Sequence, residues 1–78
     1  MNNLELYTQC FCDSFGITPE QCAGLKYQDI PEWDSVGHMQ LVAALEETFD
    51  IMMDTEDILE MESFEKIMEI LGRYDVEF

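Results

Sequence analysis

The first periodic segment of the chain covers residues 3–15. Its apolar positions lie three or four residues apart, at Leu4, Tyr7, Phe11 and Phe15. This is the period of one face of an α-helix. No proline interrupts the segment, and Gly16 directly after it is the residue type that most often ends a helix. The pattern predicts a first helix over residues 3–15.

Three further helices are predicted in the second half of the chain. Asp34 and Ser35 open a periodic segment that runs to about Phe49. Asp54 or Thr55 can cap a brief third helix that extends through Glu60. Ser63 can cap a last helix, whose apolar positions are Phe64, Ile67, Met68, Leu71 and Tyr74. Since no strand-like alternation occurs, the predicted fold is all-α: a small four-helix bundle, with three main helices plus a short third helix, in a single domain of residues 1–78.

The long first loop, residues 16–34, is the irregular part of this prediction. It contains Pro19, Gly24 and Pro31, and a structureless connection of this length is unusual in a small domain. Thr18-Pro19-Glu20-Gln21 has the order of a capped helical turn. We expect four apolar side chains to pin the loop onto the core: Leu25, Tyr27, Ile30 and Trp33.

The predicted second helix has two apolar faces. At about 100° per residue, one stripe has the width of a core face and comprises His38, Leu41, Val42, Leu45 and Phe49. A second strip contains Val36, Met39 and Ala43, flanked by Gln40, Glu46 and Glu47. Three interpretations of this second strip are open: it is ordinary surface, it is covered by the first or third helix, or it is a docking surface for a basic partner. In the third case charge governs the rate of encounter and apolar contact governs the lifetime of the complex.

The charge of the chain is strongly unbalanced. Its 78 residues include 18 acidic and three basic side chains, for a formal charge of −15. A protein that binds nucleic acid needs lysine and arginine to neutralise phosphates, so nucleic acid is excluded as a partner. Insertion into a membrane is not expected either, because the longest apolar run is Leu41 to Leu45. The three cysteines form an odd set without CxxC spacing, which favours a reduced, cytoplasmic protein. A monomer is the default expectation.

Ser35 is the most informative single residue. A hydroxyl at a helix N-terminus usually caps the helix, but Asp34 precedes it and can cap instead. Ser35 would then stand free at the first helical position. The unpaired amides and the dipole of a helix N-terminus favour a phosphate there. Ser35 is therefore a reasonable site for a phosphodiester, and the loop before it leaves room for a modifying enzyme.

An ordered pattern behind Ser35 resembles the acyl carrier protein family over essentially the whole chain. The matching residues are Asp34-Ser35-Val36, Leu41-Val42, Leu45-Glu46-Glu47, Phe49-Asp50-Ile51, Ser63-Phe64 and Ile67. The resemblance implies a four-helix bundle that is not itself an enzyme. A phosphopantetheinyl transferase would attach 4′-phosphopantetheine from coenzyme A to Ser35, with Asp34 and Val36 as the recognition motif. The arm would carry acyl or aminoacyl groups as thioesters.

The resemblance also implies partners and a core. The partners are acyl- or aminoacyl-loading and transferring enzymes with basic docking patches, and the positions expected to face them are Met39, Gln40, Ala43, Glu46 and Glu47. Buried positions are candidates to line the core and a channel for an acyl chain: Leu41, Leu45, Ile51, Met61 and Phe64.

The sequence departs from the fatty-acid carriers around the serine. Val36 replaces the usual leucine, Gly37 and Gln40 stand where acids are common, and Ala43 replaces a bulkier hydrophobe. The arrangement Trp-Asp-Ser-x-x-His is more similar to stand-alone carriers of specialised pathways, and the general pattern also resembles D-alanyl carriers. The cargo therefore stays open.

Three alternative chemistries have weaker support. Asp34, Ser35 and His38 suggest a hydrolase, but Asp34 lies on the wrong side of Ser35 and no oxyanion donor is visible. The acids of residues 50–57 lack the glycine and the spacing of a calcium loop, and two cysteines two apart on a helix diverge. No metal site is predicted. The main alternative function is a non-covalent acidic helical adaptor for a basic protein, in which Ser35 is only a cap.

Overall fold

The computed structural model describes residues 2–78, and within them it contains helices and no strand. The four helices are α1 (Asn3–Phe15), α2 (Ser35–Phe49), α3 (Thr55–Glu60) and α4 (Phe64–Gly72), and one 3₁₀ turn covers Pro19–Gln21. An isolated antiparallel bridge joins Lys26 to Ser63. The all-α prediction with a long first loop is confirmed. One detail differs: Tyr74, predicted on the last helix, lies in the turn after it.

Side chains that the sequence offered as caps define the helix ends. The carboxylate of Asp34 accepts the Gly37 amide at 2.8 Å at the start of α2, and the Ser63 hydroxyl accepts the Lys66 amide at 3.0 Å at the start of α4. Gly16 ends α1 in the left-handed conformation, at φ 66°. These bonds satisfy amides and carbonyls that a helix leaves unpaired at its ends.

The core is dominated by aromatic rings. Tyr7, Phe11, Phe15 and Trp33 are at most 3% exposed. The Trp33 ring stacks on Phe15 at a centroid distance of 5.4 Å and meets the edge of Phe11 at 5.5 Å. The Tyr7 hydroxyl donates to the carbonyl of Phe64 at 2.6 Å, and burial raises the pKa of Tyr7. Trp33, although it belongs to the loop, is thus a central core residue.

The first loop is tied down along its length, as predicted. Leu25 and Trp33 are buried, while Tyr27 and Ile30 are half-buried. The amide of Tyr27 donates to the carbonyl of Glu62 at 2.8 Å, and the amide of Phe64 donates to the carbonyl of Leu25 at 2.8 Å. The loop therefore runs beside the segment that connects α3 to α4, and this fixes its final residues against the start of α2.

Polar contacts join the short helix α3 to the turn after α4, while Ile58 packs against the core. Arg73, just after α4, pairs with Asp57 at 2.6 Å and with Glu60 at 3.1 Å. The Tyr74 hydroxyl donates to the other oxygen of Asp57 and accepts the Asp54 amide at 2.9 Å. The position of Tyr74 beyond α4 is what allows it to reach the start of α3.

Candidate functional site

Ser35 is exposed at the first residue of α2. Asp34, with extended backbone, occupies the cap position and its side chain accepts the Gly37 amide. The Ser35 hydroxyl has one polar neighbour, the Tyr27 hydroxyl, at 3.4 Å. The prediction that Asp34 caps α2 and leaves Ser35 free is confirmed.

The dipole of α2 contributes a field at Ser35 that favours an attached anion. The N-terminus of α2 carries the positive end of the helix dipole, and the first amides of a helix have no carbonyl partners within it. The loop brings the backbone of Glu32 so close to α2 that a Cβ atom on Gly37 would lie 1.9 Å from the Glu32 carbonyl oxygen. Gly37, a departure from the carrier pattern, therefore has a steric cause, since this contact leaves no room for a side chain.

A groove of about 490 Å³ opens beside Ser35, between the first loop, α2 and α3. Its lining side chains are Tyr27, Ser35, His38, Met39, Ile58, Leu59, Met61 and Glu62. The methionines, Ile58 and Leu59 supply apolar wall, while Tyr27, His38 and Glu62 supply polar groups. Mainly apolar concave sites with a few polar groups are the usual form of a small-molecule site. The groove thus gives a group attached to Ser35 a surface to lie on.

The imidazole of His38 bridges three elements beneath this groove. The Trp33 indole N–H donates to Nδ1 of His38 at 2.9 Å. Nδ1 is then the acceptor nitrogen, so the proton of the neutral ring is on Nε2, which lies 3.0 Å from the carbonyl oxygen of Ile58. Both nitrogens are thus engaged away from Ser35. The structure does not bring Asp34, Ser35 and His38 together as a triad.

The second apolar strip of α2 is exposed. Val36 is 67% and Met39 52% exposed, and Ala43, Gln40 and Glu47 are also on the surface. No described residue covers the strip, so α1 and α3 do not hide it. Its role in docking stays a prediction.

Glu46, also predicted to face partners, has a structural contact. It is half-buried, and its carboxylate accepts the Met53 amide at 2.9 Å. Its own carbonyl accepts the Ile51 amide at 3.1 Å. Glu46 thus shapes the turn after α2.

Two exposed hydrophobic residues extend the apolar surface beyond the predicted set. Leu59 is 80% exposed on α3 beside the groove, and Met52 is 87% exposed after α2. Each stands next to a more buried apolar neighbour, Ile58 and Met53. Two adjacent residues of the short helix α3 cannot both face the core, and this adjacency is the sequence signal for Leu59. Met52 and Met53 lie in the connection between α2 and α3.

The cysteines are free thiols placed for packing. Cys10 and Cys22 are buried and Cys12 is half-buried. Burial raises the pKa of Cys10, and it raises that of Cys22 to about 11, which keeps both thiols protonated and unreactive at neutral pH. Within residues 2–78 no three side chains of histidine, cysteine, aspartate or glutamate are grouped so that they could hold a metal ion.

Neither family models, nor curated proteins, nor solved structures yield a match to this chain. Across residues 2–78, the helices fall short of the length and apolar content that a membrane-crossing helix needs.

Proposed function

We propose that this protein is a carrier that holds acyl or aminoacyl groups as thioesters on a 4′-phosphopantetheine arm attached to Ser35. The observation that carries the proposal is the free, exposed hydroxyl of Ser35 at the start of α2, whose usual capping task is performed by Asp34. The similarity of Asp34-Ser35-Val36 and the following helix to the acyl carrier protein pattern points to the same chemistry.

The residues around Ser35 fit such an arm. The N-terminus of α2 stabilises the negative charge of a phosphodiester, and the Tyr27 hydroxyl lies near enough to Ser35 Oγ, at 3.4 Å, to donate to a phosphate oxygen there. The apolar wall of the groove offers contact to the remainder of the arm. When attached, the arm supplies the thiol that forms the thioester.

The attachment itself needs a separate transferase and coenzyme A. In that step the Ser35 oxygen forms a bond to the β-phosphorus of coenzyme A, the pyrophosphate bond breaks, and 3′-phospho-AMP leaves. The hydroxyl proton passes to a base on the transferase or to water. The carrier contributes the acceptor oxygen and an open approach to it.

Charge and exposed apolar surface define the enzymes that would receive the cargo. With a formal charge of −15, the carrier is steered towards partners with basic docking patches. Met39 and Val36 offer apolar contact close to Ser35, flanked by Gln40 and Glu47. In this proposal the protein acts as a cytoplasmic monomer.

An intact-mass measurement tests the proposal. The purified protein is incubated with coenzyme A and a broad-specificity phosphopantetheinyl transferase, and wild type is compared with Ser35→Ala. We expect the mass of one phosphopantetheine group on wild type and none on Ser35→Ala. Ser14→Ala is the matched serine control, since Ser14 lies inside α1 and not at the start of a helix and does not line the groove, and it should be modified like wild type.

A second control addresses His38. His38→Gln should also be modified like wild type, because neither imidazole nitrogen faces Ser35. Loss of modification in a folded His38→Gln protein would show that the imidazole has a role at Ser35. If wild type itself gains no mass, the carrier proposal fails and the non-covalent adaptor is the better description.

A further inference from the structure

We propose that cargo attached to Ser35 stays in the surface groove and does not enter the core, so that this chain carries short acyl or aminoacyl groups. The inference rests on the proposed carrier function and adds the class of cargo. It also departs from the expectation that the buried positions line a channel for an acyl chain.

His38 and Trp33 close the path from Ser35 to the core on their side of the groove, and the buried side chain of Met61 forms another part of the groove wall. Trp33 is fully buried, with its indole N–H bonded to His38 Nδ1 at 2.9 Å. On its other side, His38 reaches the Ile58 carbonyl on α3 at 3.0 Å. This bridge from the loop through α2 to α3 spans the floor of the groove. A chain that passed from the groove towards Trp33 at His38 would have to break these hydrogen bonds.

Breaking the bridge leaves polar groups without partners. The indole N–H of Trp33 would remain in an apolar setting, surrounded by the rings of Phe11 and Phe15, and an unpaired buried donor is expensive. The imidazole of His38 also presents a polar surface to the groove, which is unfavourable for contact with an alkyl chain. These costs oppose entry of a long apolar chain, because the only stabilising contribution of that chain is its apolar contacts inside the core.

The core behind the bridge is filled. Leu41, Leu45, Ile67 and Leu71, like Trp33, are 0% exposed. Protein interiors are packed as densely as organic crystals, so an inserted chain must displace side chains from their rotamers. By contrast, the groove volume of about 490 Å³ lies in the lower part of the range of roughly 300–1,000 Å³ for small-molecule sites, and the arm must share it with the cargo.

The single tryptophan of the chain makes the test direct. Wild type is loaded by the transferase with acetyl-, octanoyl- or myristoyl-coenzyme A, and loading is verified by intact mass. The indole N–H resonance of Trp33 is then compared across the three forms by NMR. We expect it to stay in place within its linewidth, with the same melting temperature for all three, while methyl signals of groove residues such as Met39 and Leu59 shift.

Opening the bridge provides the positive control. In His38→Ala the floor of the groove loses its imidazole, so the myristoyl form should move the Trp33 signal although the acetyl form does not. In wild type, a Trp33 signal that moves progressively with acyl length, together with a rising melting temperature, would overturn the inference. The wild-type series decides the matter even if His38→Ala does not fold.

A second arm separates this inference from the carrier proposal. The variant Ser35→Cys, combined with Cys12→Ser, has one exposed thiol, since Cys10 and Cys22 are buried. Ethyl, octyl and tetradecyl methanethiosulfonates attach to it: the thiolate forms a disulfide with the alkylthio group and a sulfinate leaves. A length-independent Trp33 signal supports the closed floor even where no transferase modifies Ser35, and a length-dependent signal refutes it.

Discussion

At the start of α2, the capping bond and the exposed hydroxyl belong to two adjacent residues. Asp34 accepts the amide that the helix leaves unpaired, and Ser35 keeps an exposed hydroxyl. Asp is as good a cap as Ser, so the helix loses nothing by this division. What is gained is an oxygen that can be esterified without unfolding the first turn of the helix.

Stability measurements on these two residues check the division. Replacing Asp34 with Ala removes the cap and should cost about 1 kcal/mol of unfolding free energy. Ser35→Ala should stay within about 0.5 kcal/mol of wild type, as expected for an exposed residue whose one side-chain contact is a long hydrogen bond to Tyr27. Asp34→Asn, which keeps a capping oxygen, is the control. Urea denaturation measures all three, and a loss of about 1 kcal/mol in Ser35→Ala would identify Ser35 as the cap.

Which of these residue contacts the sequence predicts depends on their distance along the chain. The capping by Asp34 was predictable, because its partner lies three residues away. For His38 the sequence favours a place at the edge of the core or a contact with Trp33, five residues away, so the Trp33 bond was foreseen as one of two options. The contacts of His38 with Ile58 and of Tyr27 with Ser35 were not, because they depend on how the loop and α3 pack, and no local periodicity encodes that.

At the scale of elements, the closest approach in the site is between the first loop and α2. The Glu32 carbonyl occupies the space where a Cβ atom on Gly37 would lie, and a carbon of the Phe15 ring is 3.3 Å from that Cβ position. A glycine inside a helix normally weakens it relative to alanine. Here Gly37 has no side chain, so the first loop can pack directly against the helix that carries Ser35.

Glycine-to-alanine substitutions test this contact. Gly37→Ala should destabilise the fold by about 1–3 kcal/mol, because the added methyl group forces the loop away from α2. The matched control is Gly72→Ala at the end of α4, where no atom lies within 4 Å of the added Cβ. That variant should be neutral or more stable by up to about 1 kcal/mol. Equal effects in thermal or urea unfolding would contradict the close approach.

The contact between α3 and the turn after α4 makes stability depend on pH. The hydrogen bond from Tyr74, and then Arg73, lowers the pKa of the Asp57 carboxyl. Because the folded state has the lower pKa, this contribution is fully present above the unfolded value of roughly 3.9. It is lost as the pH falls through the lowered folded value.

Tyr74→Phe should therefore destabilise the protein more at neutral pH than in acid below the titration of Asp57. Urea unfolding of wild type and variant at both pH values gives the two differences. Tyr27→Phe serves as the control, since its hydroxyl faces Ser35 and not a carboxylate, and its effect should not change with pH. If Tyr74→Phe has the same effect at both pH values, the pairing with Asp57 does not contribute as described.

The helices α1, α2 and α4 were predictable because each has an apolar period, and Asp34 and Ser63 cap α2 and α4. The short helix α3 covers the predicted residues, although Asp54 at its cap position makes no side-chain capping bond. The end of α4 was not predicted, since Tyr74 continues the apolar period of the last helix. In the structure its hydroxyl bonds Asp54 and Asp57, so tertiary contacts decide the position of this residue against the local pattern.

On the scale of the whole molecule, the dominant feature is uncompensated negative charge. Eighteen acidic side chains face three basic ones, and within residues 2–78 the ion pairs are those of Arg73 with Asp57 and Glu60. Self-repulsion of this kind keeps a protein soluble but opposes its compact state. The uncompensated charge therefore lowers the stability of the folded chain.

Screening this repulsion should stabilise the fold. The Debye length shortens to about 8 Å at physiological ionic strength, so the melting temperature should rise with added sodium chloride. It should rise further with magnesium chloride at matched ionic strength, because divalent ions neutralise neighbouring carboxylates more effectively. Glu47→Gln, which removes one exposed charge without touching the core, should melt higher at low salt and gain less from salt than wild type. A melting temperature that does not change across both titrations would mean that repulsion between the carboxylates does not limit the stability of the fold.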